Sequence, residues 1–437
     1  MAFKRVFRGG VSTPHHKNTL KSETSVLGTP EKVIIPMVQH IGAPCTPTVK
    51  KGDTVKVGQI IGNSDAYVSS PIHSSVSGTI TRVEPMLYAS GKLVMSIEIQ
   101  TDGKQEVYEG ISPPEVNNRE DFLKAIRNSG LVGLGGAGFP THVKLNPPKD
   151  KDVDSLIING AECEPYITSD YREMIENPTG IIEGIQLVLD YLNINNAIIG
   201  IEDNKPDAIK LLAETSKSDK RISIKSLSSR YPQGAEKMLI YATTGRTVLS
   251  GKLPADVGCI VLNVNTVSYI AQYLKTGMPL VQRRVTVDGS VVSNPQNVSV
   301  PIGTSLKDLF DFCGGFKSQP YKVLMGGPMM GIAQYSLETS VIKNTNAILA
   351  FDKKQGDLPE EWPCIRCGKC IQACPMNLLP LELNRLVMAD KFEDLDRYHI
   401  LDCIECGSCS YSCPSKRYLV QSIRIGKDAV KRKVNRV

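Results

Sequence analysis

The sequence predicts a multidomain α/β protein, and three observations carry that prediction. At 437 residues the chain exceeds the size of one ordinary domain. Its texture changes along its length: β-rich pieces broken by turns give way to strands alternating with amphipathic stretches, and then to a second β-rich region. The C-terminal region holds two matching runs, Cys364–Pro375 (CIRCGKCIQACP) and Cys403–Pro414 (CIECGSCSYSCP), which contain eight of the twelve cysteines.

Residues 1–28, rich in Gly, Pro, His and Lys without a period, read as a strap. Residues 29–110 alternate β-rich pieces such as EKVIIPM, DTVKVGQIIG and KLVMSIEIQ with turns, a small all-β domain. It resembles the barrel-sandwich fold of biotinyl and lipoyl carriers, which present a modified lysine near a hairpin tip. The corresponding stretch, Ser70 to Ser75 (SPIHSS), has no lysine, which excludes a swinging arm, and His73 reads as an incidental turn residue. Residues 115–278 are α/β: NREDFLKAIRNSG reads as a helix, DSLIING, NAIIGIED and CIVLNVN as strands, and KPDAIKLLAETSK and GAEKMLIYATTG as amphipathic helices. That alternation predicts a largely parallel sheet whose ligands sit beyond the carboxyl ends of its strands. Residues 280–335 return to β, with a hairpin signal at Asp288-Gly289 and one helix, SLKDLFDFCGG, ending on glycines; a β-grasp (SLBB-like) domain fits. Residues 336–420 carry the cysteine runs, and 421–437 form a basic tail.

Composition narrows the function classes. No apolar run approaches the roughly 18 residues of a membrane span, and the basic start MAFKRVFRGG lacks the apolar stretch of a secretory signal. The expected location is therefore cytoplasmic, where a reducing environment directs cysteines to metal or redox roles. Cys45, Cys163, Cys259 and Cys313, outside the runs, read as small buried apolar residues. The net charge is +6, and residues 421–437 supply five of those charges. Such a run reads either as a solvated tail or as a dock for anionic lipid headgroups or an acidic partner; it lacks the aromatics that stack on nucleic-acid bases.

Each cysteine run has the spacing C-x2-C-x2-C-x3-C-P of bacterial two-cluster ferredoxins. Three thiolates on one tight loop can reach three corners of a cubane, while the fourth, turned away by proline, reaches the other cluster. The expected ligand sets are Cys364, Cys367, Cys370 and Cys413 for one [4Fe–4S] cluster, and Cys403, Cys406, Cys409 and Cys374 for the other. Structural zinc is the alternative, but zinc sites take separated cysteine pairs from different hairpins. The 27 residues between the runs include Leu381, Leu383, Leu386, Val387 and Phe392 at mainly helical spacing.

The loop Gly133-Leu-Gly-Gly-Ala-Gly138 contains G-x-G-x-x-G, yet a helix precedes it and the proline-rich FPTHVKLNPPK follows, so an ordinary dinucleotide fingerprint fails. A backbone nest for an anion fits better, with Lys144 supplying charge to the same phosphate. The acidic loop Asn159 to Tyr166 (NGAECEPY) follows a strand and could bond ribose hydroxyls or ring nitrogens. These features point to a nucleotide or flavin site, against the alternative of a turn-rich structural loop.

Four segments, GLGGAGFPTHVKL, INGAECEP, YPQGAEKM and LNVNTV, resemble in content and order the flavin and NADH segments of the 51-kDa flavoprotein subunit of respiratory complex I. With the carrier-like domain in front and the double cysteine run behind, the whole chain resembles the C-subunit family of the Rnf complex, the membrane-bound ferredoxin:NAD+ oxidoreductase of bacteria. The start FRGGVSTPHHK is also similar to that family's. The resemblance implies a Rossmann-like FMN/NADH domain with non-covalent FMN, NAD(H) as substrate, and a two-cluster ferredoxin domain. Carried over, the glycine loop falls on Gly133, Gly135, Gly136 and Gly138, the phosphate lysine on Lys144, and the flavin-side loop on Asn159, Glu162 and Glu164. Glu236, Asn263 and Thr266 match further site positions. Leu134 departs from an arginine of the complex I loop, and only Glu236 remains of an acidic pair. No catalytic side chain is implied, because the cofactors do the chemistry. The resemblance further implies membrane and ferredoxin-like partner subunits, a peripheral place on the cytoplasmic face of the cell membrane, and coupling to Na+ or H+ translocation only with those partners. Two rivals are a soluble flavin/iron–sulfur reductase, such as a microcompartment cobalamin reductase, and an electron-wiring subunit with no working flavin site.

Overall fold

The computed structural model describes residues 4–434; residues 1–3 of the strap and 435–437 of the basic tail lie outside the described residues. The small β domain is a sandwich of a four-stranded sheet (Lys32–Pro36, Leu93–Thr101, Gly78–Leu87, Thr54–Val55) and a three-stranded one (Thr46–Pro47, Ile60–Asn63, Ile72–His73). Alternation closes it: Val33, Ile35, Ile61, Ile72, Ile80, Ile97 and Ile99 turn inward and form its core. His73 is not a turn residue. It lies in the strand Ile72–His73, is buried, and faces Gly130 of the next domain. The tip where carriers would expose a lysine is thus closed by a neighbour. Buried Lys343 seals the junction by donating to the carbonyls of Pro71 and Gly130, each at 2.6 Å.

The α/β domain has four parallel strands in the order Ile222–Leu227, Ala197–Glu202, Ser155–Gly160, Cys259–Asn263. The strand at 222–227 is one that sequence reasoning does not single out, because half of ISIKSL is polar, and it pairs along one edge only. The order of the strands reverses between Ser155–Gly160 and Cys259–Asn263, so the crevice between their carboxyl ends is the topological switch point, where such sheets bind ligands. Helices Pro178–Leu192 and Val264–Thr276 cover one face, packed so closely that a Cβ on Gly184 would lie 1.8 Å from the Val267 carbonyl oxygen.

The third domain is a six-stranded sheet in the order Ser25–Val26, Gln296–Pro301, Gln282–Asp288, Ala347–Phe351, Lys322–Met325, Ile332–Gln334, with the helix Leu306–Phe312 packed into its core. Two expectations are corrected here. Asp288-Gly289 does not form a two-residue hairpin: the paired strands are joined through residues 289–295, and Gly289 is demanded by its approach to the Ala350 carbonyl, 2.1 Å from where a Cβ would sit. The sheet also runs past residue 335, because the buried strand Ala347–Phe351 is inserted between Gln282–Asp288 and Lys322–Met325. The strap contributes Ser25–Val26 as an edge strand.

In the cysteine-rich module the expected helix covers Pro380–Met388, while Phe392 begins a short 3-10 turn. The basic segment is not a free tail. It continues the helix Leu419–Val434, whose Ile423 and Val430 pack with Leu383, Leu386 and Ile400, and whose Arg424 and Lys427 turn inward onto Glu405.

The helix contact at Gly184 yields a direct test. Gly184→Ala should destabilise the α/β domain by about 1–3 kcal/mol through overpacking, read as a lowered thermal transition, whereas Gly28→Ala, where a Cβ meets nothing within 4 Å, should leave it unchanged.

Candidate functional site

The switch-point crevice is lined by the loops that the sequence singles out. Asn159 and Asn263 are paired neighbours at the carboxyl ends of the two strands that flank the switch point. Asn159 donates to the Gly234 carbonyl (2.9 Å) and accepts from the Ala161 N–H (3.2 Å), tying the acidic loop to the YPQG loop. Asn263 caps the helix Val264–Thr276 by accepting from the Asn265 N–H (2.9 Å) and donates to Asp170 (2.7 Å). Thr266 Oγ1 accepts from the Leu134 N–H (3.1 Å), and Arg283 donates to the Leu134 carbonyl (3.2 Å), so the glycine loop is pinned at Leu134. Asn263 and Thr266 therefore shape the crevice from behind.

In that pinned loop Gly135, Gly136 and Ala137 are exposed, and Gly138 is left-handed (φ +69°). Gly135 must lack a side chain, since a Cβ would lie 2.4 Å from the Asn263 amide; a Cβ on Gly136 would meet nothing within 4 Å, so the loop faces open space there. Gly133 donates to the Phe139 carbonyl (2.8 Å) and closes the turn. Lys144 reaches the same end of the sheet, where its ammonium donates to Glu236 (2.7 Å) and the Val261 carbonyl (3.3 Å).

The acidic loop is strained and enclosed, with Glu162 and Tyr166 at positive φ (+49° and +70°). Glu162 does not face a ribose. Its two oxygens accept from the N–H groups of Asp170 (2.6 Å) and Tyr171 (3.2 Å), where the helix Ser169–Glu176 begins. Burial lifts its carboxyl to about 7, against the pull of Lys17 and with the push of Asp170. Glu164 Oε2 accepts from the Met329 N–H (3.1 Å), with the Met330 N–H and the Tyr231 hydroxyl also drawn toward the carboxylate, while its buried Oε1 has no hydrogen-bond partner among the described residues. Burial raises this carboxyl also to about 7. An open glycine cradle, a nearby ammonium and an orphaned polar atom fit a cofactor with an anionic end and a polar ring edge.

Two apolar cavities hold the eight cysteines. One is lined by Cys374, Cys403, Cys406 and Cys409, and the other by Cys364, Cys367, Cys370 and Cys413. Each takes three thiols from one run and one from the other. The runs fold alike: Gly368 and Gly407 are left-handed (φ +73° and +76°), as are Arg366 and Glu405 (φ +53° and +56°). In each run a backbone N–H, of Arg366 or Glu405, donates to the first cysteine sulfur at 3.4 Å. Among the described residues no three His, Cys, Asp or Glu side chains converge on a single-ion position. The four thiols of each cavity ring a space that fits the cubane of a [4Fe–4S] cluster. Burial pushes the Cys403 thiol up to about 11.

The cavity of Cys374, Cys403, Cys406 and Cys409 abuts the crevice. The Tyr231 hydroxyl donates to the Cys406 carbonyl (2.7 Å), the Gly10 N–H donates to the Ala373 carbonyl (2.9 Å), and Gly407 lies against the Met329 carbonyl. At the other cavity Cys364 and Cys367 are exposed. Of the four remaining cysteines, Cys45, Cys259 and Cys313 are buried, and half-buried Cys163 accepts from the Gly234 N–H (3.4 Å). Sequence reasoning did not single out Lys17, Asp170, Tyr231 and Arg283; Lys17 and Tyr231 do lie in quoted motifs, but nothing local shows what they touch.

Family models match for the RnfC barrel sandwich hybrid domain over residues 5–104, the Nuo51 FMN-binding domain over 126–272, the SLBB domain over 284–333 and the 4Fe-4S dicluster domain over 363–417. The four-part fold is thus the expected one, although the first model begins inside the strap. A solved NAD+-reducing [NiFe]-hydrogenase in the air-oxidized state shares the fold over 64% of this chain and 54% of its own, at 20% identity and a TM-score of 0.50. The C subunit of the Na(+)-translocating ferredoxin:NAD(+) oxidoreductase complex of Acetobacterium woodii is 46% identical, over 96% of either chain. The proton-translocating counterpart of Clostridium ljungdahlii is 48% identical over 96% of this chain and 92% of its own. With that identity over nearly its whole length, the chain belongs to the C-subunit family of the ion-translocating ferredoxin:NAD(+) oxidoreductase (Rnf) complexes.

Proposed function

We propose that this chain is the NAD(H)-linked electron-transfer subunit of an Rnf-type complex, exchanging electrons between NAD(H), a non-covalent FMN and two [4Fe–4S] clusters. The observation that carries the reading is the contact of the switch-point crevice with the cysteine loops: Tyr231, beside the acidic loop, bonds the carbonyl of Cys406. In this reading Gly133, Gly135, Gly136 and Gly138 present the backbone that receives the FMN phosphate, and Lys144 turns from Glu236 to neutralise it. Asn159 and the free oxygen of Glu164 face the ring edge, while Glu162, Asn263 and Thr266 hold the loops in place. Cys403, Cys406, Cys409 and Cys374 ligate the nearer cluster, and Cys364, Cys367, Cys370 and Cys413 the outer one.

A bound flavin supplies the conversion between two-electron hydride chemistry and the single electrons that iron–sulfur clusters carry. The chain's part is to bind, align and wall off. Glu236 is placed to release Lys144 and then to meet polar groups of the nucleotide. The buried acidic loop keeps water from the ring edge. The exposed end of the outer cluster's loop, at Cys364 and Cys367, faces a partner protein of the complex. No helix among the described residues is long and apolar enough to cross a membrane. Ion translocation is assigned to membrane partners, with this chain held peripherally on the cytoplasmic face.

Two measurements test the reading. In reconstituted, anaerobic protein, NADH should bleach the flavin bands and then lower the iron–sulfur absorbance; iron–sulfur absorption alone, unresponsive to NADH, would leave only an electron-wiring role. Lys144→Met should weaken FMN binding roughly 10- to 100-fold, the loss of one charge-assisted contact of about 1.5–3 kcal/mol, with iron content unchanged.

A further inference from the structure

The N-terminal motif FRGGVSTPHHK is unused by the proposed chemistry, yet it touches both sides of the electron-transfer junction. Phe7 is buried beneath the Arg230 guanidinium, 5.9 Å from its ring centroid, which anchors the segment on the YPQG side. Gly9 and Gly10 are consecutive left-handed residues (φ +76° and +74°), a backbone that side chains resist. A Cβ on Gly9 would lie 2.5 Å from the Cys374 carbonyl oxygen, and one on Gly10 would lie 2.5 Å from the Tyr231 carbonyl oxygen. Val11 pairs with Tyr231 through both backbone bonds, at 2.8 and 2.9 Å. The segment is therefore wedged between the loop of Cys374 and the tyrosine that bonds Cys406.

Six residues on, the same segment grips the crevice. His16 stacks on Tyr166 with ring centroids 4.9 Å apart. The Lys17 ammonium donates to the carbonyls of Glu162 and Glu164, each at 2.9 Å, and to that of Ile167. It makes no direct ion pair among the described residues; its desolvation is offset by the three loop carbonyls and by the field of the nearby Glu162 and Glu202 carboxylates. An ammonium held this way fixes the backbone of the strained loop that carries the orphaned Glu164 oxygen.

We propose that Phe7–Lys17 sets the spacing between the acidic loop of the flavin crevice and the cysteine loop of the nearer cluster, and so governs the rate at which electrons cross between them. The inference rests on the functional reading above. One electron leaving the reduced flavin reduces the nearer cluster by one, and the rate of that transfer falls steeply with distance. A methyl group at Gly9 has no room unless the two loops move apart.

The test uses full-length protein with both cofactor types reconstituted. In stopped flow, Gly9→Ala should leave flavin bleaching by NADH at the wild-type rate and slow the following cluster reduction at least tenfold, at equal iron and flavin content. In the same reconstituted protein, backbone amides of 370–376 should exchange hydrogen faster in Gly9→Ala, and those of 162–167 faster in Lys17→Met. Wild-type cluster reduction in Gly9→Ala, or slowing only in proportion to lost iron, would overturn the inference. If Gly9→Ala does not fold, Lys17→Met decides: unchanged exchange across 162–167 would refute the clamp. If NADH fails to reduce the wild-type flavin, the functional reading falls, and the exchange arm still judges the clamp by itself.

Discussion

The constraint on which the rest of the structure depends is the crossing of the two cysteine runs. Neither cavity is complete with one run: Cys374 leaves its own loop for the cavity of Cys403, Cys406 and Cys409, and Cys413 makes the reverse move. The connection between the runs must then fold back on itself. It does so through the helix Pro380–Met388 and the turns at 392–402, which share one apolar core with the C-terminal helix that follows the second run. Gly426 allows that closeness, since a Cβ there would lie 2.7–2.9 Å from Ile400, Val387 and Leu395. The inward ion pairs of Arg424 and Lys427 with Glu405 follow from the same fold-back, and they remove two of the charges that make the tail look free.

The two cavities differ in what packs against them. Lys427 donates to the Cys403 carbonyl (2.7 Å), placing a cation beside the cavity that adjoins the crevice, while the other cavity keeps exposed thiols. The α/β domain supplies the other half of the junction through its strand order. The switch point puts Asn159 and Asn263 side by side and opens their loops toward the module. A two-electron site and a one-electron chain are thus brought into contact by sheet topology at one end and ligand exchange at the other.

Much of this was legible in the sequence because it is local. The cysteine spacing and the parallel strands are written in short windows. What was not legible depends on distant partners. The strand Ala347–Phe351 joins a sheet whose other central strand lies some 60 residues earlier. Glu162, which by chemistry alone suits a ribose, is claimed by the N–H groups of a helix seven residues on. His73 looked like a turn residue until Gly130 closed over it. Lys144 and Glu236, 92 positions apart, meet as an ion pair, a link that neither motif announces. The strap showed no period because its partners are the loops of other domains, not its own residues.

The measurement that bears most directly on the account is cluster-resolved spectroscopy of the crossed ligands. Electron paramagnetic resonance of reduced protein should show Cys374→Ser disturbing the cluster held by the second run, and Cys413→Ser the one held by the first, with the companion cluster intact each time. Loss of the cluster belonging to the substituted residue's own run, with the other untouched, would contradict the crossing and the junction built on it.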